Sequence, residues 1–115
     1  PRNCVASPGT HDNNTLAGWF AGELTAAQRK QVVDYFALTK QEGTVRGMLR
    51  GVLASTAALA IIPMADWLEE PAAARMNTPG QARGNWQWRA DAKKLTPALA
   101  AEIRVLTERY FRAAK

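Results

Sequence analysis

Apolar positions in this chain fall into helical stripes, interrupted by two short runs of strand character. Val45, Met48, Leu49, Val52 and Leu53 recur at the spacing of one helix face and predict an amphipathic helix over residues 44–55, with Arg46 and Arg50 on another face. Gly47 and Gly51 sit one turn apart in it. Each costs roughly 1 kcal/mol against Ala in a helix, so close approach of another backbone is the expected reason for both. Upstream, Thr25 followed by Gln28 fits a capping box and opens a helix reaching Leu38, with Leu24, Val32, Val33 and Phe36 for its apolar face. A shorter helix through Leu16, Trp19 and Phe20 follows Asp12, Asn13, Asn14 and Thr15, whose side-chain oxygens are of the type that satisfies the free N–H groups of a first turn. The last helix has Thr96 as its cap and Pro97 at its first position, with a stripe of Leu99, Ile103, Leu106 and Tyr110.

The strand candidates are Cys4-Val5-Ala6-Ser7, which is weak, and Leu59-Ala60-Ile61-Ile62. The second is a continuous apolar run that suits a strand buried on both faces of a parallel sheet. Pro63 ends it, because proline lacks the N–H that a ladder needs. Residues 69–94 show no sustained period, and Pro71, Pro79, Gly80 and Gly84 punctuate a loop long enough to suggest function. Strands alternating with helices imply parallel βα units. Two strands alone do not make a stable parallel sheet, so the pattern asks for neighbours that this sequence does not contain.

Composition fits this picture. The chain has 115 residues, 47% of them hydrophobic and 22% charged, which is the balance of one globular domain or a piece of one. The longest apolar run, Ala57 to Ala65, is far short of the roughly 20 residues of a membrane span, so no membrane partner is expected. No signal peptide is read at Pro1-Arg2-Asn3-Cys4, and the missing initiator Met fits an excised fragment. Cys4 is the sole cysteine, which leaves no internal disulfide and makes a cytoplasmic location the natural expectation. The formal net charge is +5, yet the cations interleave with acids in Glu102, Arg104, Glu108, Arg109 and Arg112. That is the pattern of a solvated helix face, and no nucleic-acid partner is expected.

Three segments carry candidate chemistry: Gly9-Thr10-His11-Asp12-Asn13, then Ile62-Pro63-Met64-Ala65-Asp66, then Arg75-Met76-Asn77-Thr78-Pro79-Gly80 with Gly84-Asn85-Trp86-Gln87-Trp88-Arg89. Each follows a strand candidate or its loop, where βα barrels build their active sites. Asp, Asn, His and Arg pair with hydroxyl groups, and aromatic rings offer an apolar platform for a sugar face. Read singly, these residues have plainer roles. Asp12 reads as a helix cap, Asn77 as a turn residue, and Trp86 and Trp88 as anchors of the loop. Arg75 and Arg89 read as surface or ion-paired groups, and Asp66 as a structural group on the rim. His11 is the only histidine, and no metal-ligand spacing surrounds it.

Taken together, the three segments resemble the 4-α-glucanotransferases, the amylomaltase or disproportionating enzymes of glycoside hydrolase family 77, at their C-terminal end. The first segment, with Thr15 and Gly18-Trp19, looks like that family's seventh barrel strand exit. Ile62-Pro63 with Asp66 looks like its eighth, and the remainder like the loop beyond. The resemblance implies a fragment of a (β/α)8 TIM barrel, its last two βα units, which as an isolated chain is mainly helical. Residues 1–115 then form part of a catalytic barrel without a separate second domain.

The implied activity is retaining transfer of α-1,4-glucan segments to acceptor sugars, without cofactor or metal. Asp12 is implied to stabilise the transition state. His11, Asn77, Pro79 and Trp86 are implied to bind substrate. The nucleophile and the acid/base are implied to lie upstream, so the chain alone is expected to be inactive. Two departures stand out: Asn14 where the family commonly has Asp, and Ala65 where it commonly has Gln. A second reading is a non-enzymatic helical module whose uncovered apolar faces make it self-associate as a homo-oligomer.

Overall fold

The computed structural model describes residues 2–114. Two strands, β1 (Val5–Ala6) and β2 (Leu59–Ala60), pair in parallel with Val5 opposite Leu59 and Ala6 opposite Ala60. Between them run α1 (Leu16–Gly22), α2 (Ala26–Tyr35) and α3 (Thr44–Leu53). After β2 come the single turn α4 (Met64–Trp67), 3-10 helical turns at Ala72–Ala74 and Ala92–Lys94, and the final helix α5 (Pro97–Arg109).

α3 is the centre of the core. Val45, Met48, Leu49 and Leu53 are buried, and they meet Leu16 of α1 and Trp67 of α4. Its two glycines are required by close packing, but side chains rather than another backbone do the approaching. A Cβ at position 51 would stand 2.5 Å from a ring carbon of Phe36, and one at position 47 would collide with Leu38. Phe36 and Leu38 lie in the α2–α3 connection, which folds back over the helix that follows it. At Gly18 of α1 the approach is to backbone, with the Ala72 Cα 2.8 Å from where a Cβ would stand.

Some helix ends form as the sequence predicts, and others do not. The Thr25–Gln28 capping box forms in both directions, and the Thr96 side chain accepts the Leu99 N–H at 3.1 Å. α1 is not capped by Asp12, Asn13 or Asn14. Thr15 is its cap, accepting the Gly18 N–H at 3.1 Å. Asn13 instead closes the turn before it, its side-chain oxygen accepting the Thr10 N–H at 2.7 Å. α2 stops at Tyr35, and within its predicted apolar face Val33 is exposed. Arginines seal three helix ends: Arg29 donates to Leu24 O at 2.9 Å beyond α1, Arg50 to Phe36 O at 2.6 Å beyond α2, and Arg112 to Leu53 O at 2.7 Å at the end of α3. Arg112 also donates to Ser55 O at 2.9 Å and Ala57 O at 3.1 Å, which joins the end of α5 to the entry of β2.

The strands correct one expectation. β2 is not buried on both faces: Leu59 and Ile61 are each just over half exposed, and so is Val5 on β1. Among the described residues no further strand or helix covers Val5, Leu59 and Ile61, so one side of this two-stranded sheet stays open. No helix among the described residues is long and apolar enough to cross a membrane.

Candidate functional site

The exits of β1 and β2 converge on one cleft. β1 gives way through Pro8 and Gly9 to a turn in which Asn13 N–H donates to Thr10 O at 3.1 Å and Asp12 N–H to the Thr10 hydroxyl at 3.3 Å. That turn holds His11 and Asp12 outward, and both side chains are about half exposed. From the β2 side, the loop after the Ala72–Ala74 turn returns to lie against it. Asn77 N–H donates to His11 O at 3.0 Å, and the Asn77 side-chain amide donates to Asp12 Oδ1 at 2.6 Å. The other carboxylate oxygen of Asp12 lies 3.4 Å from His11 Nε2.

Trp86 completes the face. Its ring stands 5.0 Å from that of His11 with a tilt of 34°, and it is largely exposed. It is therefore not a core anchor, and its backbone explains how it reaches this position. Trp86 has φ +61°, the left-handed region that a bulky residue rarely adopts, and its N–H donates to Met76 O at 2.6 Å. Strain of this kind persists where surrounding contacts over-determine it, and it clusters at functional sites. Beneath His11 and Trp86 opens a cavity of about 600 Å³, also lined by Trp88, Met64, Arg75 and Met76.

Four of the five anticipated site residues thus come together: Asp12, His11, Asn77 and Trp86. Pro79 stands apart on the exposed corner of a turn closed by Gln81 N–H to Thr78 O at 3.1 Å, with Gly80 at φ +84°. Proline followed by glycine suits a type II turn, so Pro79 shapes this loop. Asn85 ties the turn to the Trp86 strand of the loop, accepting the Thr78 N–H at 2.9 Å and donating to Gln81 O at 2.8 Å.

Arg75 differs from the sequence expectation. It is not an ion-paired surface group. Its guanidinium donates to two backbone carbonyls, Asp12 O at 2.7 Å and Asn77 O at 3.0 Å. Only its position two residues before Asn77 hinted at this. Asp66 is buried and faces inward, accepting the Leu16 N–H at 2.8 Å, and burial pushes its carboxyl above the usual carboxylate range. Among the described residues no trio of His, Cys, Asp and Glu gathers as a metal cluster would. Asp66 is the carboxylate that lines the cavity itself, whereas Asp12 stands beside it, held by the Asn77 amide and next to His11. An exposed carboxylate fixed in this way beside aromatic rings is equipped to hold hydroxyl groups.

A parallel βα frame with hydroxyl-binding and aromatic groups gathered at its strand exits defines the class: a βα protein with a polar and aromatic ligand cleft. The chain belongs to the 4-alpha-glucanotransferase family (glycoside hydrolase family 77), whose sequence profile matches residues 1–95. It is 42% identical over 111 residues to a 4-alpha-glucanotransferase of Clostridium butyricum, covering 96% of this chain and 23% of that protein. A 4-alpha-glucanotransferase of Streptococcus pneumoniae is 43% identical over 112 residues, covering 97% of this chain and 22% of its own length. The structure matches an amylomaltase from Streptococcus agalactiae solved in complex with acarbose, with a TM-score of 0.94 and 35% identity over 99% of this chain and 23% of that one. The chain therefore spans less than a quarter of the length of these relatives.

Proposed function

We propose that this chain is the last two βα units of a (β/α)8 barrel that transfers α-1,4-glucan segments between sugars, and that residues 1–115 belong to that catalytic barrel without a separate domain. The observation that carries the reading is the 2.6 Å bond from the Asn77 amide to Asp12 Oδ1, which joins two strand exits around one half-exposed carboxylate. In a retaining mechanism one carboxylate attacks the anomeric carbon and another serves as acid and then base, the two about 5–5.5 Å apart. Asp12 fills neither role here. Held by Asn77 and flanked by His11, it grips sugar hydroxyls beside the bond being cut and favours the distorted, oxocarbenium-like ring.

Trp86 supplies the apolar platform, His11 a further hydrogen bond to the same sugar, and Pro79 keeps the rim loop in place against the substrate. The nucleophile and the acid/base come from elsewhere in the enzyme, and no cofactor takes part. A soluble glucan as substrate goes with a cytoplasmic setting. In the complete transferase carrying this segment, Asp12→Asn is expected to lower the transfer rate on the order of 100- to 1000-fold, the scale of losing one transition-state-stabilising group. Unchanged transfer would overturn the reading. The chain by itself is expected to release no glucose from maltotriose.

The uncovered sheet face supports a second reading for the chain in isolation. Val5, Leu59, Ile61 and Met64 are all more than 40% exposed. Apolar faces of this kind drive association, so the isolated chain is expected to self-associate as a homo-oligomer. Sedimentation at micromolar concentration tests this, and a clean monomer speaks against it.

A further inference from the structure

We infer that Arg75 is a positioning residue for the transfer reaction, because its guanidinium locks the backbone of Asp12 to the backbone of Asn77. The inference rests on the reading of Asp12 given above. Nη2 of Arg75 donates to Asp12 O at 2.7 Å, and Nε donates to Asn77 O at 3.0 Å. The two acceptors belong to different strand exits, with Arg75 and Asp12 63 positions apart in sequence. Asn77 N–H to His11 O and the Asn77 amide to Asp12 Oδ1 run alongside, so the guanidinium closes a four-bond knot. Two of those bonds vanish if it is removed.

The choice of arginine follows from this geometry. A planar fork with separate donors reaches two carbonyls at once, whereas an ammonium on a flexible stem acts as a point donor. None of the ion pairs among the described residues involves Arg75, so charge pairing does not explain it. Its nearest consequences are the direction of the Asp12 side chain and the depth at which Asn77 meets it. Interactions that grow toward the transition state are sensitive to such placement, and a misplacement of about 1 Å can cost on the order of 100-fold in rate. The Trp86 ring is held by a bond outside this knot, Trp86 N–H to Met76 O at 2.6 Å. Loss of Arg75 should therefore fall on turnover more than on substrate binding.

The test compares Arg75→Ala, Arg75→Lys and Asp12→Asn in the complete transferase, assayed with maltotriose. Arg75→Ala is expected to lower kcat on the order of 10- to 100-fold while KM changes by less than about threefold. Methylguanidinium added to the assay should restore part of the Arg75→Ala activity and none of the Asp12→Asn activity. Arg75→Lys should fall between Arg75→Ala and the parent. Three results overturn the proposal while Asp12→Asn stays strongly impaired. One is an Arg75→Ala kcat within twofold of the parent. Another is a loss that follows thermal unfolding and ignores methylguanidinium. The third, decisive if Arg75→Ala does not fold, is an Arg75→Lys enzyme with unchanged kcat. An Asp12→Asn enzyme with unchanged transfer would instead remove the functional reading beneath it.

Discussion

Asp66 reaches back 50 positions to accept the N–H of Leu16 at 2.8 Å, so a carboxylate at the exit of β2 caps the first turn of α1. With Thr15 taking the Gly18 N–H, two of the four free donors of that turn are satisfied. Burial raises the Asp66 carboxyl pKa, and the Leu16 N–H opposes that shift. A carboxyl that is raised in the folded state binds protons more readily there than in the unfolded chain. Its contribution to stability is then fully present below its ordinary, unfolded value and is lost as pH rises through the raised one. Asp66→Asn keeps an oxygen for Leu16 and removes the titration. Urea unfolding at pH 4 and pH 7 is expected to show the parent losing stability relative to Asp66→Asn at the higher pH. Equal differences at both values would mean that burial does not govern this group.

Asp66→Ala separates the hydrogen bond from the charge. It strands the Leu16 N–H in a buried place, at a cost of about 1–3 kcal/mol. It should be less stable than Asp66→Asn at pH 7 in the same unfolding experiment.

Trp86 offers a cleaner separation of backbone from side chain. At φ +61° a Gly is at ease and an Ala is not. Trp86→Gly should unfold at a temperature equal to or above that of Trp86→Ala, while both lose the ring that stands 5.0 Å from His11. Maltooligosaccharide affinity, measured by calorimetry on the complete transferase, should fall in both by a similar factor, near tenfold for a lost aromatic platform of about 1.5 kcal/mol. Undiminished affinity in either variant would take Trp86 out of the site.

Gly18 tests packing against propensity. Ala in mid-helix gains up to about 1 kcal/mol over Gly. Here the new methyl would stand 2.8 Å from the Ala72 Cα and 2.6 Å from Asn14 Oδ1. Overpacking against backbone costs about 1–3 kcal/mol, so the steric term wins and Gly18→Ala should be less stable by denaturant midpoint. Any gain would show that the Ala72 turn yields freely.

Three helices end on a left-handed residue that is not glycine: Ala37 at φ +51°, Glu69 at φ +55° and Phe111 at φ +57°. In each case the N–H of the next residue donates to a carbonyl five positions back, as Leu38 N to Val33 O at 2.9 Å and Arg112 N to Thr107 O at 2.9 Å. Phe111 is almost wholly exposed, so its ring contributes little packing. Phe111→Gly is expected to stabilise the chain by about 0.5–1 kcal/mol, read as a raised denaturant midpoint. A lowered midpoint would mean that the ring packs in solution.

These endings show which features were legible in the sequence. The Thr25–Gln28 box and the Thr96-Pro97 start depend on residues three or fewer positions apart, and both form as read. The stripe of Val45, Met48, Leu49 and Leu53 was equally plain, because a helix buries one face. The helix stops were hidden, since Ala37, Glu69 and Phe111 carry no mark of a left-handed backbone. α4 was missed, being a single turn of four residues, too short to show a period. In the cleft, Asp12, His11, Asn77 and Trp86 lay in segments whose residue types suit sugars. Asp12, Asn77 and Trp86 read singly as cap, turn and anchor, and the resemblance of the grouped motifs to the family is what set all four apart. What Arg75 and Asp66 do was not readable, because their partners lie 63 and 50 positions away and only folding brings them near.

The three carbonyls held by Arg112 bear on how this polypeptide tolerates shortening. They lie at Leu53, Ser55 and Ala57, immediately ahead of the strand that leads to Pro63 and the cleft loop. Trimming the final handful of residues would leave the helix of Pro97–Arg109 intact and still untie the approach to that strand. A purification tag appended after Lys115 leaves Arg112 and its three acceptors in the sequence, whereas a stop codon at position 112 removes the anchorage.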